Sequence, residues 1–538
     1  MSIDDLRTLG ERSRIDTDLC LIGSGPAGWT IAEELRDTGL RVLMLESGGH
    51  ATAPETDALN EVEDVGTRLF NGRSRALGGT SNLWNGRCIP FDDIDYERRP
   101  WIARSGWPFG AEAMVPYVNR ASEHLCAGPY YDGRERRPMP GGARLDVDPA
   151  LLRPAWWQLP EPVNFGRALT TRRSPNLWVL LRATVTQLNT DPLGRRIESV
   201  EVADADGRRS TVHARAVVLC AGGVENPRIL LYSNRVNPHG VGNDHDLVGR
   251  YLMDHPRDFE LIARVEPAHA DRFRDVFGPF DMDGPCGRHE FSYGFSLSPE
   301  RQRADGLLNA AAWPFQVASD DDPISAFSRL VRVASDGVVR DARRAASQPG
   351  LLLRQLNSRF IARRKVRQKV EKIGFLMSSE QVPDPASRVR LGDRLDRLGL
   401  PLARVDWRIN ELEARSQAVL AQTIAAEFAR LGLFPVRLAD WVREGRFGDA
   451  EFVDGCHPIA TTRMANDPRD GVVDADCQVH GVDRLYVAGS SVFPTGSHAN
   501  PTLMVVALAV RLAEHLKERL SPKAGAGATR PAPADAFG

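Results

Sequence analysis

The sequence predicts an α/β protein, α+β overall, in which a nucleotide-binding domain is assembled from separated stretches of chain. Three observations predict it. A short apolar run, residues 19–22, passes through Gly23-Ser24-Gly25-Pro26-Ala27-Gly28 into a helical pattern and then a second apolar run. Two later apolar runs, residues 216–220 and 485–488, also end in glycine. The long stretches between these pieces have a different, mixed pattern.

Residues 19–22, bounded by Gly23, read as a buried parallel strand. Ala27, Ile31 and Leu35 fall on one helix face, and Gly39 ends that helix. Residues 41–45 form the next strand, which ends at Glu46 and completes a β-α-β unit. Strand patterns follow at 177–190, 197–202 and 216–220. Between Arg257 and Asp454, strands are expected at 259–265, 389–391 and 403–407, and helices at 324–344 and 411–431. A strand at 484–488 and a helix at 501–519 follow, and the Ala-, Gly- and Pro-rich residues 521–538 are expected to be a disordered tail. There is no internal repeat.

A chain of 538 residues can bury large cores and form two lobes. Its formal charge of −2 implies no general attraction to nucleic acid or membranes. The basic stretch 354–372 reads as a solvated helix face before an anion- or partner-binding patch. Cys20, Cys88, Cys126, Cys220, Cys286, Cys456 and Cys477 show no CxxC pair and no zinc spacing. They suit free thiols in a reducing compartment, and no metal site is expected. Residues 1–18 lack the apolar core of a secretory signal, and no run approaches the roughly 18 apolar residues of a membrane span. The expectation is a cytoplasmic protein without membrane insertion or nucleic-acid partner. Its oligomeric state is not written in the sequence.

The GxGxxG run sits between a strand and a helix, as dinucleotide binding requires. Gly23 permits the tight turn, Gly25 lets a pyrophosphate approach the backbone, and Gly28 lets helix and strand pack closely. The helix N-terminus offers free N–H groups to the phosphates. Glu46, 18 residues after Gly28, is positioned to accept ribose hydroxyls and to repel a 2′-phosphate. This unit alone does not separate NAD from FAD. Further strand ends, at Ala221 and at Gly489-Ser490, meeting one extended ligand suit FAD.

Other motifs keep a fixed order. Residues 77–86 read Leu-Gly-Gly-Thr-Ser-Asn-Leu-Trp-Asn-Gly, and 221–230 read Ala-Gly-Gly-Val-Glu-Asn-Pro-Arg-Ile-Leu. Val248-Gly249-Arg250 and Asp254-His255-Pro256 follow. Near the end come His457-Pro458-Ile459-Ala460, residues 471–474, 479–482 and 485–493, then Ala499-Asn500-Pro501-Thr502-Leu503. In these residues the sequence resembles the glucose–methanol–choline oxidoreductase family over most of its length, least between 257 and 377. Within that family it looks closest to the pyranose oxidase, sugar-oxidising branch.

The resemblance implies a Rossmann-like FAD-binding domain of discontinuous segments (15–90, 175–256 and 455–520). It also implies a substrate domain (91–174 and 257–454) with an antiparallel sheet and helices. Cofactor contacts are implied for Gly23, Ser24, Gly25, Pro26, Ala27, Gly28, Glu46, Gly79, Ser81, Asn82, Leu83, Asn85, Val185, Ala221, Gly489, Ser490, Asn500, Pro501 and Thr502. Relatives with covalently attached flavin carry histidine just before the loop's tryptophan. Leu83 stands there, so FAD is expected to bind noncovalently. Ala460 stands where glycine is usual.

The resemblance makes His457 the catalytic base and Asn500 its partner. Imidazole titrates near neutral pH, and an amide can hydrogen-bond the substrate oxygen without competing for its proton. His498 and Glu380 are substrate-side candidates, set against a capping role and a solvated loop carboxylate. His255 and His480 read as structural. Trp101 and Trp107 read as entrance lining or, more commonly, as packing. The leading function is oxidation of an alcohol, a secondary hydroxyl of a sugar, glycoside or sugar-like natural product. Oxygen or another acceptor would take up the electrons. A lyase of the same fold, oxidation of a non-sugar alcohol, and a non-catalytic nucleotide-binding protein are the alternatives.

Overall fold

The computed structural model describes residues 2–521 except 11, 65–71, 134, 137–144, 162, 173, 259–260 and most of 320–368, where only 322, 342, 343, 346, 349, 350 and 353 are described. The expected helix at 324–344, the basic stretch 354–372 as far as 368, and the tail from 522 onward therefore lie outside the described residues, save for isolated positions.

Two large sheets organise the described chain. The first has eight strands, in the order Ser2–Asp5, Leu177–Leu181, Val42–Glu46, Ser13–Ile22, Arg209–Leu219, Ile197–Ala203 and Thr184–Thr190, with Leu485–Val487 also paired to Arg209–Leu219. Val42–Glu46 and the last six residues of Ser13–Ile22 are buried throughout, which is why they read as unbroken apolar runs. Parallel registers set Ile22 against Leu45 on one side and Leu219 on the other, with Val487 beyond Leu219. Four strands thus end at one level, and their following turns converge on one edge.

The expected strand region 177–190 is two strands, broken where Arg182 takes a positive φ of 54°. The edge strand Ser2–Asp5 lies in a segment for which no strand was expected. The helix Pro26–Glu34 crosses from Ser13–Ile22 to Val42–Glu46, and the C-terminal helix Thr502–Leu520 packs on it and on Val115–His124.

The second sheet has seven strands, and all of its pairings are antiparallel. Its order is Phe280–Gly284, Gly287–Leu297, Ala310–Ala318, Val370–Ser379, Ala263–Val265 and Val436–Leu438, with Leu152–Leu159 added to Gly287–Leu297. The helix Glu411–Arg430 starts at a capping box between Asn410 and Glu413 and covers this sheet. Phe277, Phe295, Phe375 and Phe428 fill the space beneath it. Arg388–Leu395 and Pro401–Asp406 form a smaller sheet with Val62–Asp64.

The cysteines require a correction. Cys126 and Cys286 form a disulfide with Cα atoms 5.3 Å apart, across a sequence separation of 160 residues. The remaining five are free, and only Cys456 is exposed. Spacing along the sequence could not reveal this pair, because tertiary contacts bring it together. Gln158 accepts the Gly128 N–H at 2.7 Å and contacts His289 Nε2 at 3.2 Å, fastening the loop after Cys126 to the hairpin that carries Cys286. Among the described residues, no helix is long and apolar enough to cross a membrane.

Candidate active site

The converging strand ends line a cleft. Gly23, Ser24, Gly25, Pro26, Glu46, Gly79, Val185 and Ala221, all expected at a cofactor, line it together with Thr80 and Gly222. Gly23 has a φ of +114°, and a Cβ there would stand 2.5 Å from the Cys220 carbonyl oxygen, so packing alone demands glycine. Gly25 differs, because a Cβ there would meet only the Gly78 oxygen, at 4.0 Å. The bare backbone at 25 leaves room for something other than protein. That cradle, under the N-terminus of the helix Pro26–Glu34, fits a pyrophosphate.

Glu46 is buried and accepts hydrogen bonds from Ser24 N at 3.2 Å, from Ser24 Oγ and from Gly48 N at 2.8 Å. Burial raises its pKa against the opposing effect of those donors. The loop 77–86 folds over the glycine turn through Gly78 N, which donates to Ser24 Oγ at 2.9 Å. Ser81 and Asn82 brace that loop by donating to the carbonyls of Gly78 and Leu77, while Leu83 is left 59% exposed.

His457 is half-buried at the far side of the same strand ends. Its segment is tied down by Ser490 Oγ, which donates to Pro458 O at 2.7 Å, and by Ala460 N, which donates to Ser490 O at 3.1 Å. Asp254 accepts the backbone N–H groups of His255 at 2.5 Å, Gly455 at 2.8 Å and His457 at 2.9 Å. This ties the 254–257 and 455–457 turns together.

The ring of His457 meets His255 Nδ1 to Nδ1 at 3.0 Å. His255 Nε2 faces the carbonyl oxygens of Ser497 at 2.9 Å and Gly496 at 3.3 Å, so that nitrogen carries the proton. Burial first, and repulsion from Arg257 second, hold the His255 pKa down at about 3, so the ring is neutral and its Nδ1 is an acceptor. His457 Nδ1 must then be the donor, which leaves His457 Nε2 with a bare lone pair. Arg257 Nη2 stands 3.4 Å from His457 Nδ1, too far to compete as donor with the 3.0 Å contact. Burial, then the charge of Arg257, then His255 lower the His457 pKa well below that of free imidazole.

Asp254, His255 and His457 bring three potential metal-binding atoms within 4.8 Å of one another. The carboxylate is taken up by three backbone donors and a guanidinium abuts the same imidazole, so this group is built for hydrogen bonding.

Asn500 is half-buried before the helix Thr502–Leu520, whose N-terminus at Pro501 has no side-chain cap. The same turn is joined to His457 through His255, by way of the Gly496 and Ser497 carbonyls. His498 is buried against Asp92, with Nε2 3.2 Å from the carboxylate, and not on an open wall. Glu380 is sealed inside the protein and is not an exposed acid. It is 0% exposed and paired in two places with Arg99, itself 0% exposed, and it accepts Asn309 N at 2.8 Å.

Trp107 is core, packed with Phe91, Tyr96 and Phe493, and Trp101 donates to Leu307 O at 2.9 Å. Neither lines an entrance. His480 is structural, contacting Ala465 O at 2.9 Å. Arg257, which abuts His457, instead reaches the indole of Trp313, with the guanidinium carbons of Arg87 and Arg257 at 4.8 and 5.6 Å from its ring centroid. Sequence reasoning missed all three, because Trp313 lies in the least recognisable segment and an isolated arginine carries no motif.

A glycine-turn cleft built on parallel strand ends, in a fold that also carries a neutral histidine with a free lone pair, is the arrangement of a dinucleotide-dependent oxidoreductase. Residues 167–257 and 383–509 match the family models for the two parts of the GMC oxidoreductases, and 21–79 match an NAD(P)-binding Rossmann-like domain. The chain belongs to the GMC oxidoreductase family. It is 25% identical to 2-methyl-1,2-propanediol dehydrogenase of Mycolicibacterium austroafricanum over 94% of its length and 96% of that protein. It is 26% identical to C-glycoside 3-oxidase of Microbacterium trichothecenolyticum over 94% of its length and 97% of that protein. The crystal structure of a formate oxidase superposes with a TM-score of 0.56 at 17% identity, covering 95% of this chain and 99% of that one.

Proposed function

We propose that this protein oxidises a secondary hydroxyl of a sugar, glycoside or related compound, with His457 as base and noncovalently bound FAD as acceptor. The observation that carries the reading is the 3.0 Å contact between His255 and His457, which leaves His457 Nε2 free to take a proton. FAD bound in the cleft supplies a two-electron acceptor for the hydride that leaves carbon. Segments 15–90, 175–256 and 455–520 hold it, and 91–174 with 257–454 enclose the substrate.

Gly23 to Gly28 and the helix N-terminus hold the pyrophosphate, and Glu46 accepts ribose hydroxyls. Gly79, Ser81, Asn82, Leu83, Asn85, Val185, Ala221, Gly489 and Ser490 border the rest, with Asn500, Pro501 and Thr502 at its far end. His457 Nε2 takes the hydroxyl proton as the C–H bond breaks, and the carbon becomes a carbonyl. Asn500 donates an N–H to the oxygen as its charge grows. A base of this kind contributes about 10² to 10⁴ in rate. Leu83 supports noncovalent attachment: its side chain is exposed and has no nucleophilic atom.

Names of relatives favour a carbohydrate-like substrate: the Microbacterium protein is a C-glycoside 3-oxidase. The test is anaerobic mixing of the yellow protein with sugars, glycosides and simple alcohols, followed by admission of oxygen. Bleaching by a glycoside or sugar is expected. An unbleached flavin across the whole panel would refute the reading. Acid precipitation should release all the flavin into the supernatant.

A further inference from the structure

Arg87 and Arg257 reach the indole of Trp313 from different parts of the chain. Arg87 follows the loop that covers the glycine turn. Arg257 bridges the backbone of Ser378 and Val453 and abuts His457. Trp313 is buried in the antiparallel sheet. Neither guanidinium pairs with a carboxylate among the described residues, and the Nε of each is buried without an acceptor. The indole N–H groups of Trp313 and of Trp157, whose rings lie 5.7 Å apart, are likewise buried and unmet.

The Nε of other arginines, Arg99 among them, is unmet in the same way, so what sets this pair apart is that two guanidiniums without a carboxylate partner press on one indole beside His457. The two arginines repel one another. Burial, and after it the charge of Arg257, bring the Arg87 pKa down to about 9. Neither arginine borders the dinucleotide cleft, so a pyrophosphate there does not account for them. An anionic oxygen group entering beside His457 would neutralise the two half-buried guanidiniums.

We propose that Arg87 and Arg257, across the face of Trp313, bind a carboxylate or phosphate of the substrate, so that the alcohol oxidised at His457 is an acid such as a sugar acid or sugar phosphate. The proposal rests on the reading of His457 as the base. A neutral sugar would leave the two half-buried guanidiniums without a counter-charge, and an anion neutralises them while presenting its hydroxyl to His457. The second arginine also limits specificity, since a neutral compound of the same shape gains nothing from the pair.

The test uses the flavin-loaded enzyme and matched compounds: glucose, glucuronate, gluconate and glucose 6-phosphate for anaerobic flavin reduction. Acetate and benzoate serve as unreactive probes, read by the shift they cause in the flavin spectrum. The acids or the phosphate should reduce the flavin at least about tenfold more efficiently than glucose, and benzoate should bind. The compound preferred among the anions identifies the group. Arg87→Met and Arg257→Met should each weaken benzoate binding at least about tenfold with the flavin still bound, and Arg87→Lys should recover part of it.

Equal use of glucose and its acids, together with no response to benzoate or acetate, would overturn the proposal. His457→Ala separates the two ideas. It should stop reduction by every substrate yet leave benzoate binding intact. If benzoate does not bind but His457→Ala still slows neutral sugars, the anion site alone is wrong.

Discussion

His255 and His457 stand Nδ1 to Nδ1 at 3.0 Å, and the proton in that contact belongs to His457 because His255 gives its own to the carbonyls of Ser497 and Gly496. One buried ring thereby decides which nitrogen of another is basic. His255→Leu removes the acceptor and frees the His457 ring to turn or change tautomer. His255→Asn restores an acceptor close to the lost Nδ1. The rate of flavin reduction should fall about 10- to 100-fold in the leucine variant and recover largely in the asparagine variant. Equal rates in the two variants would reduce His255 to a packing residue.

His457→Ala removes the proton acceptor, and His457 itself does not line the glycine-turn cleft. The protein should remain yellow, and single-turnover reduction should slow by about 10²-fold or more. A rate unchanged from the parent would end the base assignment.

The pH profile follows from the sign of the His457 shift. Burial first, then the charge of Arg257, depress its pKa, so the reactive neutral form persists below the pH at which free imidazole would protonate. Reduction should stay flat as pH falls through about 6.5 and decline only at lower pH. Arg257→Met removes one depressing charge, so the acid limb should move to higher pH. An acid limb that stays put in that variant would exclude Arg257 as a cause.

The Cys126–Cys286 bond predicts a thiol count. Denatured without reductant, the chain should expose five thiols, and after reduction all seven of its cysteines. Closing so long a loop stabilises the fold on chain-entropy grounds, so Cys286→Ser should cost roughly 2–5 kcal/mol. Seven thiols without reductant would disprove the bond.

Ala460 sits at a φ of +69°, in the left-handed region that costs an L-residue about 1–2 kcal/mol. Glycine would relieve that cost and give back about 0.5–1 kcal/mol through its looser unfolded chain. Ala460→Gly should therefore raise stability slightly, by up to roughly 1 kcal/mol, in a denaturant titration. A clear loss would mean the methyl group contributes packing that outweighs its backbone strain.

The nucleotide half of the molecule was legible because its signals are local. A run such as Val42–Glu46 is apolar because both faces are buried, and Gly23 is glycine because nothing else fits. The helix expected at 411–431 is likewise present, as Glu411–Arg430. The substrate side was not, because its side chains acquire meaning only across the fold. Glu380 gave no sign of Arg99, 281 residues away, nor Cys126 of Cys286. His255 looked structural because its motif names the turn and not the ring it faces. Trp313 carried no pattern at all, and the two tryptophans that did stand out among prolines proved to be packing.

The ion pair between Arg99 and Glu380, sealed from solvent, has a mechanical consequence. Asn309 donates its backbone N–H to Glu380 and its side chain to Asp92 and Asp95, and Asp92 in turn holds His498. Shifting any one of these segments would strand a charge in an apolar interior, at a cost of several kcal/mol. Residues 92–99, 309, 380 and 498 thus behave as a keystone that locks four distant stretches of the chain to one another.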